Sequence, residues 1–245
     1  MKKLTLIGIG TGDPGHVTLA GQTAMRALDA ILIPRKGAGK DDLAELRRAI
    51  VRRTAPAVPI IEFGLPVRDT TLPYKTGVDL WHDAIAVAWQ TAVPAEVDHA
   101  GLLVWGDPSL YDSTLRIAAR LSPSPVVAVV PGITALQALT AAFAMPLNEI
   151  NAPVQITTGR KLRDHGWPEG ADRIAVMLDG ECSFRSLAPE GVSIWWGAYL
   201  GLPNQILRDG ALEDIGAEIV ELRAKARAAH GWIMDTYILD RLSSS

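Results

Sequence analysis

Three short segments of the chain have the composition of loops that bind a small molecule. They join glycine or proline to polar residues: Gly8-Ile9-Gly10-Thr11-Gly12-Asp13-Pro14, Gly106-Asp107-Pro108-Ser109-Leu110-Tyr111 and Pro131-Gly132-Ile133-Thr134-Ala135. Glycine allows tight turns and a close approach of the backbone to a ligand, and backbone N–H and C=O groups can then orient that ligand. Each segment follows a short apolar run, which predicts that each is the loop leaving a β-strand.

The first of these loops is similar to a dinucleotide-binding fingerprint but departs from it in two ways. The fingerprint requires a third glycine where a helix begins against a pyrophosphate, and Asp13-Pro14 stand there instead. The acidic residue expected at the end of the second strand is also missing, because Asp29 precedes that strand. Both departures argue against a nicotinamide cofactor. A simple turn without a ligand remains the structural alternative for this loop.

The first half of the chain alternates short apolar runs with amphipathic helical patterns, which predicts a parallel α/β sheet. The predicted strands are Leu4–Ile9, Ala30–Ile33, Val58–Phe63, Gly101–Trp105 and Val126–Val130. The last run is unbroken and, apart from Ala128, β-branched, which predicts a strand buried on both faces. Ligands bind at the carboxyl ends of the strands in such sheets, so we expect the three loops to lie together.

Beyond Asn148 the pattern changes to more strands and fewer helices, which predicts a second, mixed α/β domain. Its strands are predicted at Val154–Thr158, Ile174–Leu178, Val192–Trp196, Gln205–Leu207 and Trp232–Leu239, and its clearest helix at Ile215–His230. We therefore predict domains at 1–148 and 149–245, joined by the linker Pro146–Pro153.

Composition limits the classes of partner. The chain has 245 residues, a formal net charge of −3 and a single cysteine, Cys182. Such a charge provides no basic excess for nucleic acid, and the absence of a run of about 18 apolar residues predicts no membrane partner. One cysteine cannot form an internal disulfide, which favours a reducing compartment, the cytoplasm. Neither the histidines nor Cys182 show metal-ligand spacing, so no metal is expected.

In order and separation the three loops resemble the tetrapyrrole methylase family, whose motifs are GxGPGDxxxLT, GDPxxY and PGIT. The matching residues are Gly8, Gly10, Gly12, Asp13 and Leu19, then Gly106, Asp107, Pro108 and Tyr111, then Pro131, Gly132, Ile133 and Thr134. Thr11 replaces the usual proline, and the order around Thr18-Leu19 differs. Longer segments resemble a subgroup that methylates a precorrin ring and releases acetate: Leu32–Gly37 followed by Lys40–Leu43, then Trp81-His82, Trp195–Gln205 and Gly231–Tyr237.

The resemblance implies two α/β domains with the active-site cleft between them, usually as a homodimer. It also implies S-adenosyl-methionine as methyl donor and a large anionic tetrapyrrole as substrate. The residues that it assigns to the cofactor are Thr11, Gly106, Asp107, Leu110, Thr134, Ala135, Leu178, Ala198 and Tyr199.

An anionic substrate requires positive charge at the site of a protein that is acidic overall. Basic residues follow two predicted strands, and the candidate substrate-binding residues are Arg35, Lys36, Tyr111, Arg160 and Lys161, with Lys40 and Arg163 close by. Solvated loop charges are the alternative. Arg47, Arg48, Arg52 and Arg53 are predicted to lie on the solvated face of a helix.

Moving a proton to or from the substrate ring and releasing acetate would require a general base or acid. The candidate catalytic residues are Asp13, His16, Tyr74, His82 and Asp107. Each has a structural alternative, since Asp107 could serve as a turn residue and His82 lies on an apolar helix. Two other functions stay open: another methylase of the family with a different substrate, and a non-catalytic module that holds a tetrapyrrole.

Overall fold

The computed structural model describes residues 1–35 and 42–241, without the side chain of Asp42. The chain divides into two compact units, Met1–Thr134 and Ala135–Ser245. Each unit has its own β-sheet and its own buried apolar core. The prediction of two α/β domains is therefore confirmed.

Unit 1 contains a five-stranded parallel sheet in the order β3-β2-β4-β1-β5. Its strands are β1 Lys3–Gly8, β2 Ala30–Arg35, β3 Ile60–Gly64, β4 His99–Val104 and β5 Val126–Val130. Its α-helices are α1 Leu19–Arg26, α2 Asp42–Thr54, α3 Tyr74–Ala92 and α4 Thr114–Ala118. Alternate residues of β1 enter opposite faces of the sheet: Leu4 and Leu6 pack with Trp89 of α3, whereas Ile7 packs with Met25 of α1. The predicted parallel sheet is confirmed.

Strand β5 differs from its prediction of burial on both faces. Among the described strands it pairs with β1 alone and is an edge strand of the sheet, and Val126 is 70% exposed. A β-branched run favours the extended backbone wherever the strand lies. Its place in the sheet depends on tertiary pairing, which local composition does not encode.

Unit 2 contains a five-stranded sheet in the order β6-β7-β10-β8-β9, in which only β6 and β7 pair in parallel. Its strands are β6 Val154–Thr158, β7 Arg173–Met177, β8 Val192–Ala198, β9 Ile206–Ala211 and β10 Asp235–Arg241. Its α-helices are α5 Ala135–Ala142, α6 Gly159–His165 and α7 Leu212–His230. The predicted mixed α/β organisation is confirmed.

Helix α5 belongs to unit 2, whereas the sequence prediction placed the boundary near residue 148. The helix packs against β8 and β10, and a Cβ atom on Gly197 of β8 would lie 2.7 Å from Leu139 Cδ1. The alternation of elements continues through α5, so its pattern alone suggests a further helix of the first sheet. The packing of its apolar face assigns it to the second unit.

The longest helices, α3 and α7, each have 19 residues. Helix α7 carries Glu213 and Asp214 in its first turn and Arg227 in its last turn, which complements the helix dipole. Within residues 1–35 and 42–241, no helix is long and apolar enough to cross a membrane.

His82 is a buried residue of α3, only 3% exposed. Neither ring nitrogen has a hydrogen-bond partner among the described residues. Burial lowers the pKa of His82, and the charge of Arg120 lowers it further. The imidazole is therefore packed as a neutral ring, and the unfolded chain takes up its proton at a higher pH than the folded chain.

Since the folded pKa of His82 is depressed, its contribution to stability is present above about pH 6.5 and is lost as the pH falls. We expect a His82→Leu variant to lose less stability than the wild type between pH 7.5 and 5.5, by at most about 1.4 kcal/mol per pH unit. Urea unfolding at both pH values measures this difference. The exposed His165 in α6 provides the control, and equal pH slopes for wild type and His82→Leu would contradict the prediction.

Candidate functional site

The three glycine-bearing loops meet at the carboxyl ends of β1, β4 and β5, which are neighbours in the sheet. A Cβ atom on Gly8 would lie 2.6 Å from Gly132 N and 2.7 Å from Gly106 O. A Cβ atom on Gly132 would clash with the same carbonyl oxygen. The loops thus pack backbone against backbone, at distances that exclude any side chain. The expectation that they lie together is confirmed.

Loops one and two are also joined by a β-bridge between Gly10 and Gly106. The Gly106 N–H donates to Gly10 O at 2.8 Å, and the Gly10 N–H donates to Gly106 O at 3.4 Å. Both glycines have left-handed backbones, with φ of 73° and 63°. This conformation is readily available to glycine and disfavoured for other residues.

Asp107 connects the second loop to the third. Its Oδ2 accepts the Gly132 N–H at 2.8 Å, and its Oδ1 accepts the Ser109 N–H at 2.8 Å and the Ser109 hydroxyl at 2.5 Å. Burial opposes ionisation, but these hydrogen bonds outweigh it and lower the pKa of Asp107. Asp107 is therefore ionised, and it acts as a brace, a side chain whose hydrogen bonds hold the second and third loops together.

The first loop positions an imidazole. Thr11 Oγ1 and His16 Nδ1 are 3.0 Å apart, and a Cβ atom on Gly10 would clash with His16 Cβ. Asp13 caps the short 3-10 helix Pro14–His16, since its Oδ1 accepts the Gly15 N–H at 2.7 Å. His16 is therefore held against the bridge between the first two loops, and Asp13 stabilises the turn that carries it.

The remaining cofactor candidates Leu110, Thr134 and Ala135 lie in the same loops, as does the substrate-binding candidate Tyr111. Leu110 is half-buried, and its N–H donates to Asp107 O at 3.2 Å. Tyr111 has φ of 50° and is 41% exposed. Thr134 ends unit 1, and Ala135 begins α5. A left-handed backbone at a non-glycine residue such as Tyr111 is uncommon and concentrates at functional sites.

In unit 2 the predicted cofactor residues lie where strands β7 and β8 end. Tyr237 of β10 pairs with Val176 of β7 and with Trp196 of β8, so the carboxyl ends of β7 and β8 flank the same strand end. Leu178 follows β7, whereas Ala198 ends β8 and Tyr199 follows it. Two of these residues have a left-handed backbone, with φ of 54° at Leu178 and 52° at Tyr199.

The Tyr199 side chain is directed into the core of unit 2. Its hydroxyl donates to Trp232 O at 2.6 Å, its ring packs edge-on against Trp232, and the residue is 0% exposed. Leu178, in contrast, is 66% exposed. Tyr199 therefore anchors its turn, while Leu178 presents a side chain and a backbone at the surface of the unit.

Comparison with known proteins identifies the family of the chain. The family model of the tetrapyrrole (corrin/porphyrin) methylases matches residues 3–216. The chain belongs to this family. A curated relative from Sinorhizobium sp, precorrin-6A synthase [deacetylating], is 44% identical over 98% of this chain and 95% of its own length.

Solved structures agree with this assignment. One from Corynebacterium diphtheriae, described as a cobalamin synthesis related protein (CobF), has a TM-score of 0.84 and 39% identity, covering 99% of this chain and 100% of that chain. A uroporphyrin-III C-methyl transferase from Thermus thermophilus, solved with S-adenyl homocysteine, has a TM-score of 0.59 and 17% identity, covering 99% and 93%. At that identity the likeness shows the methylase fold alone.

Among the described residues, the predicted basic residues of this methylase lie at two places, the end of β2 in unit 1 and helix α6 in unit 2. Arg35 is exposed at the end of β2, with Nη1 3.3 Å from Glu62 Oε2. Arg160 and Lys161 are exposed in the first turn of α6, and Arg163 pairs with Glu181 at 2.6 Å. The predictions for Lys36 and Lys40 lie outside the described residues.

Tyr74 and His82, two of the predicted catalytic residues, lie outside the three loops. Tyr74 begins α3, is 58% exposed and has the Arg68 guanidinium 5.2 Å from its ring centroid. His82 lies on the buried face of the same helix. Of the side chains predicted to carry protons, the structure brings Asp13, His16 and Asp107 to the loops.

Arg47 is a polar residue of the methylase that sequence reasoning assigned wrongly to solvent. Its Nε donates to Leu103 O at 3.1 Å, and its guanidinium lies 4.7 Å from the centroid of the Trp105 ring. Burial lowers the pKa of Arg47 to about 10, and Asp112 opposes the shift. Its position beside the end of β4 depends on how α2 packs on the sheet, and helical spacing alone carries no signal for it.

Among the described residues, no group of three or more histidine, cysteine, aspartate or glutamate side chains could hold a metal ion.

Proposed function

We propose that this methylase is an S-adenosyl-methionine-dependent C-methyltransferase that methylates precorrin-5 at C1 and releases acetate to give precorrin-6A. The observation that carries the proposal is the identity with precorrin-6A synthase [deacetylating] along nearly the whole chain. The converging loops of unit 1 support it, because they provide a ligand site of the kind that a methyl donor requires.

The residues present fit the cofactor. Gly8 and Gly132 leave no room for side chains where the loops meet, so backbone N–H and C=O groups line this part of the loops. Such groups suit the carboxylate and ammonium of S-adenosyl-methionine, and apolar residues suit its adenine. When bound, the cofactor supplies a methyl group on a positively charged sulfonium. The residues proposed to hold it are Thr11, Gly106, Asp107, Leu110, Thr134 and Ala135, with Leu178, Ala198 and Tyr199.

The chain's own contribution to methyl transfer is positioning, which can account for about 7–11 kcal/mol of a barrier. Asp107 keeps the second and third loops in place before any ligand arrives, because both carboxylate oxygens already accept hydrogen bonds. A preorganised site of this kind binds without the cost of ordering its loops.

His16 is the residue that we propose to move a proton. Its Nδ1 is held by Thr11, which leaves Nε2 as the atom that can accept or return a proton. Imidazole is suited to this task near neutral pH. Release of acetate consumes one water, and a base that takes a proton from that water accelerates its attack on the acyl carbon.

Variants at His16 and Asp107 should separate proton transfer from positioning. We expect His16→Asn to lower kcat by about a hundred-fold and to leave S-adenosyl-homocysteine binding within two-fold of wild type. Asp107→Asn should weaken that binding about ten-fold, because an amide nitrogen cannot accept the Gly132 N–H. Calorimetry and steady-state kinetics measure the two effects. Equal changes of kcat and of S-adenosyl-homocysteine affinity in both variants would contradict the assignment of proton transfer to His16 and positioning to Asp107.

Arg47 is proposed to bind a carboxylate of the substrate. Burial lowers the pKa of its guanidinium, which lies beside the end of β4, and arginine binds carboxylates with paired donors. We expect Arg47→Gln to raise the KM for precorrin-5 about ten-fold without a change in S-adenosyl-homocysteine affinity. Arg53→Gln, an exposed position on the same helix, is the matched control. Equal KM values for the two variants would remove Arg47 from the substrate site.

The test of the function is turnover. Purified protein with precorrin-5 and S-adenosyl-methionine should yield precorrin-6A and acetate in a ratio of one to one. Methylation of a different tetrapyrrole in place of precorrin-5 would assign the enzyme to another step of corrin synthesis. Binding of tetrapyrrole with no transfer of methyl would favour a non-catalytic module instead.

We also propose that the enzyme works as a homodimer in the cytoplasm. The family resemblance supports the dimer, and a single cysteine suits a reducing compartment. Sedimentation equilibrium at micromolar concentration checks the oligomeric state, and a monomer mass would refute the dimer. Cell fractionation checks the compartment.

A further inference from the structure

Leu178 has a backbone conformation that leucine rarely adopts. Its φ is 54°, in the left-handed region, where the Cβ atom crowds the following carbonyl. The residue is 66% exposed, so burial of its own apolar surface does not hold it there. Such a conformation persists only where surrounding structure determines it. The neighbouring residue, Asp179, provides that structure.

The Asp179 carboxylate is buried, 6% exposed, and accepts four hydrogen bonds. Oδ1 accepts the Glu181 N–H at 3.0 Å and the Ser183 hydroxyl at 2.9 Å. Oδ2 accepts the Ser183 N–H and the Tyr237 hydroxyl, each at 2.6 Å. The first three bonds close the turn at residues 178–183, and the fourth ties that turn to β10.

The backbone around Asp179 is fixed as firmly as its carboxylate. Arg223 Nη2 donates to Asp179 O at 3.0 Å. A Cβ atom on Gly159, at the start of α6, would clash with Asp179 Cγ, so the carboxylate fills the space that a side chain would need. Burial raises the pKa of Tyr237 well above its usual value, which keeps its hydroxyl protonated as a donor.

We infer that Asp179 is a positioning residue for the cofactor, which holds the Leu178 backbone in its left-handed conformation before the cofactor binds. The inference rests on the proposed function, in which Leu178 contacts S-adenosyl-methionine. Asp179 itself is buried behind the turn and acts through Leu178. The turn is then a preformed part of the site, and its ordering does not reduce the affinity.

A double-mutant cycle tests this role. Asp179→Asn keeps the shape but replaces one acceptor oxygen by a donor, and we expect the Kd for S-adenosyl-homocysteine to rise about ten-fold with kcat at saturating cofactor close to wild type. Glycine adopts the left-handed region freely. In a Leu178→Gly background, the same Asp179→Asn change should therefore alter Kd by less than two-fold.

A second pair of variants separates this role from general stability. Leu178→Val should weaken binding about ten-fold in the presence of Asp179, because a β-branched residue tolerates the left-handed region poorly. Asp240→Asn removes the ion pair with Arg173 in the same sheet, and it should lower the unfolding midpoint without a change in Kd. If Asp179→Asn fails to fold, Tyr237→Phe removes a single donor and should raise Kd about three-fold.

The outcomes distinguish the two proposals. No binding of S-adenosyl-homocysteine by the wild type would overturn the proposed function. Binding by the wild type, with Asp179→Asn within two-fold of it, would overturn the role of Asp179. Equal losses of affinity from Asp179→Asn in the wild-type and Leu178→Gly backgrounds would also overturn it. If Asp179 only stabilised the fold, glycine at position 178 would not reduce the effect of the substitution.

Discussion

Gly132→Ala should lose at least about a hundred-fold in affinity for S-adenosyl-homocysteine, close to 2.8 kcal/mol at 1.4 kcal/mol per ten-fold. The added methyl group would clash with Gly106 O and would lie 2.7 Å from Gly8 Cα. Both atoms belong to backbone, so the clash is relieved only by moving one loop away from another. Such movement also stretches the hydrogen bond from the Gly132 N–H to Asp107. Isothermal titration calorimetry measures the change.

Gly64→Ala is the matched control for this experiment. Gly64 lies in β3 of the same unit, and a Cβ atom there would have nothing within 4 Å. We expect its affinity to match that of the wild type, so any loss in Gly132→Ala comes from the contact among loops. Binding by Gly132→Ala within two-fold of wild type would show that the cofactor does not depend on this contact.

Arg223→Met should lower the free energy of unfolding by about 3–5 kcal/mol, the cost of leaving a buried carboxylate without its partner. Arg223 Nε donates to Asp235 Oδ2 at 2.8 Å, and their side chains are only 10% and 7% exposed. Trp196 Nε1 also donates to Asp235, at 3.0 Å. One indole donor cannot replace a guanidinium, and methionine supplies no charge. Urea unfolding monitored by circular dichroism measures the loss.

The effect of this variant should depend on pH. Burial raises the pKa of Asp235, although Arg223 opposes the shift, and removing Arg223 raises it further. A carboxyl group with a raised folded pKa stabilises below its unfolded pKa and loses that contribution as the pH rises. The variant should therefore lie closer to the wild type at pH 4.5 than at pH 7.5. A constant difference across this range would contradict the assignment to Asp235.

Arg208→Met provides the control for Arg223→Met, since Arg208 pairs with Glu218 at 2.6 Å on the surface of the same unit. Exposed pairs of this kind contribute about 0–1 kcal/mol. Adding Asp235→Asn to Arg223→Met should recover more than half of the loss, because the amide removes the unpaired charge and its oxygen can still accept from Trp196. No recovery would mean that lost packing, rather than charge, accounts for the destabilisation.

Local sequence patterns predicted much of the fold. The apolar runs marked the strand positions closely enough to place the glycine-bearing loops at strand ends, as at Gly8 and Gly106. This succeeds because strands and tight turns depend on short-range preferences: β-branched residues favour extended backbone, and glycine permits left-handed turns. The resemblance of three separated motifs then indicated the family before any contact was known.

Partners distant in sequence were not predictable. Asp107 was expected to take part in catalysis or cofactor binding, and its hydrogen bond to Gly132 spans 25 positions of the chain. Arg47 was expected in solvent and lies against Trp105. Asp179, which accepts a hydrogen bond from Tyr237 of a distant strand, was not among the predicted site residues. Which groups share a buried site depends on strand order and helix packing, and neither follows from local composition.

The sequence by itself determined the α/β class, the three loops and the family, because each of these depends on residue types at short spacing. Only the tertiary structure decided that β5 is an edge strand, that α5 packs in the second unit and that Asp107 is a brace. The physical reason is that burial and hydrogen-bond partners are properties of the assembled chain. A carboxylate becomes a brace only when its acceptor oxygens meet donors from another loop.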